Sequence, residues 1–341
     1  MKRNIIKFLS LAMLLVGATA FTACNDTEAV DLVEPSIQNQ NPELYAQYLQ
    51  NLRAYKNSEH VLVYTWFDNS NKTPNSRAEH IADLPDSVDI VALTNPEALA
   101  QWELQEIQSL RSEKNIRFIY DVDFDAIKAD YNALLEVATE EEPVSTDFIG
   151  YLVENLETKL SFADRFGFDG ICIAYQGKST RHMQAAALRE YQANERAFFG
   201  ILSNWHARHP NALLTFFGNP QNVADATLLA DCLHLLVDGT SSLSADALTQ
   251  ALLLAQVEDL TEPSYGIVVN NFDVNDENET IGYFSDGSFA VDGLAVWAPE
   301  AHGDVKVQAV GVKGVSSDYF DAQKVYSHTR ALISSVNPPI K

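Results

Sequence analysis

What this sequence lacks narrows its chemistry first. It holds three cysteines in 341 residues, with no CxxC pair, HExxH helix, glycine-rich phosphate loop or GxGxxG turn, and its eight histidines show no ligand spacing. Redox, metal and nucleotide chemistry therefore have no foothold, and no cofactor is expected. Positive charge is scarce too: 23 Lys and Arg stand against 47 Asp and Glu, a formal −24. That field repels phosphate backbones and excludes nucleic acid as a partner, while a neutral ligand such as a sugar is indifferent to it. Past the N-terminus no run approaches the ~18 apolar residues of a membrane span. The acidic stretch "DVNDENET" (273–280) lacks the glycine of a calcium loop and reads as a solvated loop.

What is present begins with an export signal. Lys2, Arg3 and Lys7 precede an apolar stretch that ends in "FTAC". Small residues before Cys24 resemble a bacterial lipobox, in which that cysteine is lipidated and becomes the first residue of the mature chain, although Phe21 replaces the usual leucine. Residues 1–23 are thus expected to be a leader, 24–55 an acidic tether with a helical lead-in, and 56–341 the folded domain. Attachment would be by acyl chains, with no membrane-spanning helix. Loss of the leader leaves 20 Lys and Arg against 47 acids, a formal −27. Cys172 and Cys232 sit inside apolar runs and read as small core residues.

With 46% hydrophobic residues the chain can bury a large core. Short continuous apolar runs, the pattern of parallel strands covered on both faces, occur at 60–67, 88–94, 115–122, 168–175, 212–218, 232–238, 264–271 and 293–298. Helical spacing fills 97–113, 124–138, 147–166, 181–209, 222–230, 244–258 and 318–334. The alternation predicts an α/β fold, a single-domain (β/α)8 TIM barrel. A doubly wound open sheet shares that alternation, but no glycine-rich turn follows the first strand.

In such a barrel the site lies at the C-terminal strand ends. There the sequence offers Trp66, Asp68, Asn95, Asp121, Asp123, Tyr175, Gln176, Phe217, Asn219, Asp238, Asn270, Asn271, Trp297 and Glu300. Rings for flat sugar faces and amides or carboxylates for hydroxyls make this a sugar-site composition.

The segment "FDGICIAYQ" (168–176) resembles the fourth-strand signature of glycoside hydrolase family 18, the chitinases and endo-β-N-acetylglucosaminidases, whose pattern is D-G-x-D-x-D-x-E. Asp169 and Gly170 match its opening and Tyr175 the aromatic before the acid, while the three acidic positions fall on Cys172, Ala174 and Gln176. The family's sixth-strand M-x-Y-D falls on "LLVD" (235–238), which keeps Asp238 but has Val237 for the tyrosine. Trp297, closing the run read as the eighth strand, is matched to the family's floor tryptophan.

In that family the glutamic acid protonates the leaving oxygen, the substrate's acetamido group attacks the anomeric carbon, and a neighbouring aspartate steadies the acetamide. The resemblance therefore implies a non-catalytic glycan-binding protein. Its ligand sites would be Trp66, Asp68, Asn95, Asp121, Tyr175, Gln176, Asn219, Asp238, Asn270 and Trp297, its ligand an N-acetylglucosamine-containing oligosaccharide such as a host N-glycan. It also resembles surface lipoproteins of gut Bacteroidota, which implies lipid anchoring at Cys24 on the outer membrane beside a glycan importer and companion lipoproteins. Two rival readings stand: hydrolysis through other acids such as Asp121, Asp123 or Asp238, and a scaffold lipoprotein.

Overall fold

The computed structural model describes residues 40–139, 144–258, 260–321 and 324–338. The expected leader, Cys24 and the first part of the expected tether lie outside them. The chain divides into two compact units at the Tyr48–Leu49 junction, and the barrel lies wholly in the second.

Nine strand segments are hydrogen-bonded in the order β3-β2-β1-β9-β8-β7-β6-β5-β4, every pair parallel. They are β1 Leu62–Phe67, β2 Ile90–Leu93, β3 Arg117–Ile119, β4 Asp121–Asp123, β5 Gly170–Tyr175, β6 Leu213–Gly218, β7 Leu235–Asp238, β8 Tyr265–Asn270 and β9 Val307–Lys313. β3 and β4 are the two halves of one run through Tyr120. The first half pairs with β2 and the second with β5, and Phe118 and Tyr120 carbonyls also accept Asp169 and Cys172 N–H at 2.8 Å. The sheet thus closes into eight staves, the TIM barrel expected from the alternation, and the open-sheet alternative is removed.

Helix α1 runs Pro42–Lys56, and the outer layer of the barrel includes α2 Gln101–Lys114, α3 Phe124–Val137, α4 Phe148–Phe166, α5 Ala185–Arg208, α6 Ala245–Leu254, α7 Ala290–Trp297 and α8 Ser327–Val336. α4 shows how local chemistry sets the boundaries. Asp147 accepts the Gly150 N–H at its start, and Gly167 ends it in the left-handed region at φ 69°. The helical spacing at 222–230 yields only 3₁₀ turns, Pro220–Asn222 and Ala226–Asp231. The acidic loop at 273–280 closes on itself: the Asp276 carboxylate accepts from the Thr280 hydroxyl and from the Ile281, Thr280 and Asn278 N–H groups, which hold it down to about 2.

One strand was misplaced by its pattern. Residues 293–298, "GLAVWA", are not the eighth strand but lie mostly in helix α7. Ala290, Val291, Leu294, Ala295 and Trp297 are buried while Val296 is 71% exposed, a helical period that a six-residue apolar run conceals. The eighth stave is β9, whose inward residues include Ala309 and Gly311. Their small size weakens the apolar signal, and it is required. A Cβ on Gly311 would meet Trp66 Cζ3 at 3.0 Å and Val268 Cγ2 at 2.8 Å.

Candidate functional site

Strand pleating sends alternate residues into the barrel. The interior is filled by Tyr64, Trp66, Ile90, Ala92, Ile119, Cys172, Ala174, Phe217, Leu236, Val268 and Ala309. Continuing each alternation by one inward step brings Asp121, Gln176, Asp238, Asn270 and Lys313 to the C-terminal mouth, with Asn219 just beyond β6. A packed apolar column therefore ends in a ring of polar groups.

Gln176 is the centre of that ring. Its Nε2 donates to Asp238 Oδ2 at 2.7 Å, and its Oε1 accepts from Asn219 Nδ2 at 2.7 Å. The amide nitrogen is the donor and the amide oxygen the acceptor, so a carboxylate on one side and the Asn219 NH2 on the other fix its orientation. The main chain is held as firmly: Gln176 N–H donates to Asp125 at 2.8 Å, and its carbonyl accepts from Asn222 at 2.9 Å and Asn219 at 3.2 Å. Thr240 holds the other Asp238 oxygen, its N–H and hydroxyl donating at 2.9 and 2.6 Å. Asn270 donates to the Thr240 carbonyl at 3.4 Å, linking β8 to the same network.

A second cluster forms beside it. The Trp66 indole N–H lies 2.9 Å from both Asp121 oxygens. Lys313 Nζ is 3.8 Å from the Phe217 ring centroid, 5.3 Å from the Trp66 centroid and 4.0 Å from Asp121 Oδ2. The aromatic floor, Trp66 at 3% and Phe217 at 4% exposure, thus lies beneath a cation. Desolvation raises the Asp121 carboxyl, opposed first by Lys313 and then by the Trp66 N–H. Burial also drives the Cys172 thiol well up, and Asp121 beside it adds to the effect, so the thiol is inert as a nucleophile.

This pair fixes a sign. Because folding raises the Asp121 pKa, Asp121 opposes stability increasingly as pH climbs from the ordinary carboxylate range through its folded pKa. Lys313→Met removes the strongest opposing influence, so Asp121 moves further up. Asp121 keeps about a quarter of its side chain accessible, so the loss should be about 1 kcal/mol near neutral pH and vanish in acid. Urea denaturation from pH 3 to 8 measures it, and a pH-independent loss would contradict the coupling.

Asp68 and Asn95 form a third group on the loops after β1 and β2. Asn95 donates to Asp68 at 3.1 Å, and Asp68 also accepts the Ser70 N–H at 2.9 Å. Beneath them buried Asn69 links the Asn95 main chain to Glu103, which is fully buried and paired with Lys72 at 2.9 Å. Asp123 caps α3 by accepting the Ala126 N–H, and Asp169 at the opposite end of β5 is tied to Arg111 and the Phe118 N–H. Asp169 is therefore a shaping residue.

Two expected site residues lie elsewhere. Tyr175 faces outward, its hydroxyl bonded to Tyr191 at 2.7 Å and Glu195 at 3.0 Å against α5. Since Cys172 and Ala174 point in, the residue between Ala174 and Gln176 must point out. Trp297, on α7, donates its indole N–H to Thr249 of α6 at 2.8 Å and stacks on His302 at 3.8 Å. It belongs to the helical layer, and no tryptophan ends the eighth stave. That position is Lys313, which pattern reading missed. Its signal was the run "VQAVGVK" before Gly314, where small residues hid the strand.

A model of glycoside hydrolase family 18, BT1044-like, matches residues 25–335. No curated protein matches the chain. Among solved structures it resembles a selenomethionine form of BT1044 carrying a glutamate-to-glutamine change, at 15% identity and TM-score 0.59 over 91% of this chain and 98% of that one. It also resembles the endo-β-N-acetylglucosaminidase of Cordyceps militaris, at 15% identity and TM-score 0.54 over 86% and 96%. A third is YKL-39, solved with chitooligosaccharides, at 10% identity and TM-score 0.50 over 82% and 100%. At such identities the likeness is one of fold.

Proposed function

This chain belongs to glycoside hydrolase family 18, BT1044-like, and from that premise we propose that it binds N-acetylglucosamine-containing glycans, N-glycans among them, without hydrolysing them. The observation that carries this reading is the amide of Gln176, held between Asp238 and Asn219 where the family's signature has its acid. An amide has no proton to give at useful pH, so general-acid assistance of ~10²–10⁴ is missing. Ala174, one inward step below, supplies no charge for a developing acetamide cation, commonly worth ~10²–10³ by analogy with other electrostatic stabilisers. Binding chemistry remains: Asn219, Asn270, Asp121 and Lys313 offer donors and acceptors around a closed apolar column.

One observation favours hydrolysis by other acids, the raised Asp121 carboxyl in the cleft. Its oxygens face the Trp66 N–H, and Asp238 already accepts from Gln176 and twice from Thr240. Neither is free to act as the partner base that a two-carboxylate mechanism needs. We therefore favour binding.

Calorimetry of the mature chain with chito-oligosaccharides and N-glycans, followed by product analysis of the same mixtures, tests the reading. Saturable binding with intact glycan is expected. New reducing ends would establish an enzyme, and no binding at millimolar ligand would end the glycan reading. We extend the proposal to a lipid anchor at Cys24 on the outer membrane, beside an importer and companion lipoproteins. The basic start, the apolar stretch and "FTAC" before residue 25 support it. Cys24→Ser should move the protein from the membrane to the soluble fraction, and a membrane-bound variant would refute the anchor.

A further inference from the structure

The glycan reading uses the C-terminal end of the barrel and leaves the opposite end unexplained. By the alternation that turns Ile119, Leu236 and Val268 inward, Arg117, His234 and Ser264 point into the barrel at the N-terminal ends of β3, β7 and β8. The packed column therefore ends in polar groups at both mouths. At the N-terminal one opens a cavity of about 760 Å³ whose lining includes these three residues together with Lys56, Glu59 and Lys306.

The charges here run against the rest of the chain. In a protein of formal −24, this lining holds three cations, Lys56, Arg117 and Lys306, and one carboxylate, the exposed Glu59. Arg117 is half-buried, and its guanidinium makes no hydrogen bond or ion pair among the described residues. The Asp89 carboxylate does not answer it, being spent on His60 at 3.1 Å and the Val63 N–H at 2.9 Å. A half-buried cation without a counter-ion is a cost that a bound anion removes. The column above adds a donor. The Tyr64 hydroxyl joins His234 Nδ1 at 2.8 Å and lies 3.3 Å from Thr215 Oγ1. Burial, with Arg117 adding to it, holds His234 down to about 3, so the imidazole is neutral and carries one N–H. An anion in the cavity selects the tautomer in which Tyr64 donates to Nδ1 and that N–H is on Nε2, an atom with no hydrogen bond among the described residues.

We propose that the N-terminal mouth is a binding site for a phosphate group, free or carried by a lipid headgroup, with Arg117 as its central partner, His234 and Ser264 as hydrogen-bond donors and Lys306 on its rim. Arg117 presents a planar fork of N–H donors that matches phosphate oxygens. A carboxylate has two oxygens to share among these donors, and a phosphate has more. The cavity leaves room for an organic substituent on the phosphate. A long polyanion remains excluded, because the charge of the whole chain still repels it. This site is independent of the glycan reading.

Calorimetry in low-salt buffer with inorganic phosphate, and in parallel with acetate, tests the site on the full chain carrying Cys24→Ser, so that no acyl group contributes. Saturable phosphate binding, with acetate weaker, is expected. In that background Arg117→Gln should weaken phosphate roughly ten-fold or more, and Arg117→Lys by less. Lys306→Gln, at an exposed position that leaves folding untouched, should weaken it roughly two- to five-fold. Co-sedimentation with phosphatidylglycerol vesicles separates the two sources. Vesicle binding that excess phosphate displaces and Arg117→Gln removes assigns the lipid headgroup, whereas phosphate binding without vesicle binding assigns the free anion. Absence of both, acetate binding as tight as phosphate, or native affinity in both Arg117→Gln and Lys306→Gln overturns the proposal.

Discussion

Replacing Trp297 with alanine should cost about 3–5 kcal/mol of stability and leave glycan affinity unchanged. The indole is 3% exposed, donates to Thr249 at 2.8 Å and stacks on His302, whose ring also contacts the Trp297 carbonyl at 3.1 Å. Truncation would open a cavity between α6 and α7 and leave the Thr249 hydroxyl without its donor. Against a typical total of ~5–15 kcal/mol, that is a large loss. The residue nevertheless sits on the crossover between β8 and β9, outside the barrel, while the Gln176 ring sits at its mouth. Urea denaturation reads the first effect, and calorimetry at a temperature where the variant remains folded reads the second. A stable variant with lost affinity would return Trp297 to the site and contradict its place on α7.

That contrast marks where sequence pattern stops being informative. Seven strands were legible because each is a continuous apolar run covered on both faces, and the barrel followed from their alternation with helices. Strand alternation also placed Cys172, Ala174 and Gln176 on the inward face correctly. The eighth stave was not legible. Its inward residues had to be small to admit Trp66, so "VQAVGVK" looked weaker than the helix "AVDGLAVW", whose buried face against α6, α8 and β8 is joined by the exposed Val296 into one short apolar run. One misplaced strand carried two consequences, moving a tryptophan into the site and leaving Lys313 out. The partners of Gln176 were beyond reach for another reason. Asp238 and Asn219 lie 62 and 43 residues away in the chain, and only the pairing of β5 with β6 and of β6 with β7 brings them edge to edge.

The same network governs the effect of restoring the missing acid. Gln176→Glu should yield no detectable hydrolysis and should destabilise the protein by about 1.5–3 kcal/mol at neutral pH. The new carboxylate would stand where Nε2 donates to Asp238 at 2.7 Å, turning a charge-assisted hydrogen bond into a contact between two acceptors. Relief comes only if the pair shares a proton, so its titration is raised as a unit. Folding then takes up protons, and stability is retained in acid and lost as pH rises through the folded pKa, the reverse of a salt-bridged carboxylate. Turnover still fails in acid, where a shared proton exists. It is bound between two carboxylates, and Ala174 leaves the developing acetamide cation unsupported, a deficit of ~10²–10³. Adding Ala174→Asp supplies that group, but at a position 3% exposed and paired with Asp123, two residues from Asp121, so it buries a third acid and compounds the loss. Measured denaturation from pH 4 to 8, with product analysis at each pH, decides the matter. Hydrolysis by the single variant would show that one amide had silenced a working acid site, and a pH-independent stability would refute the coupling of position 176 to Asp238.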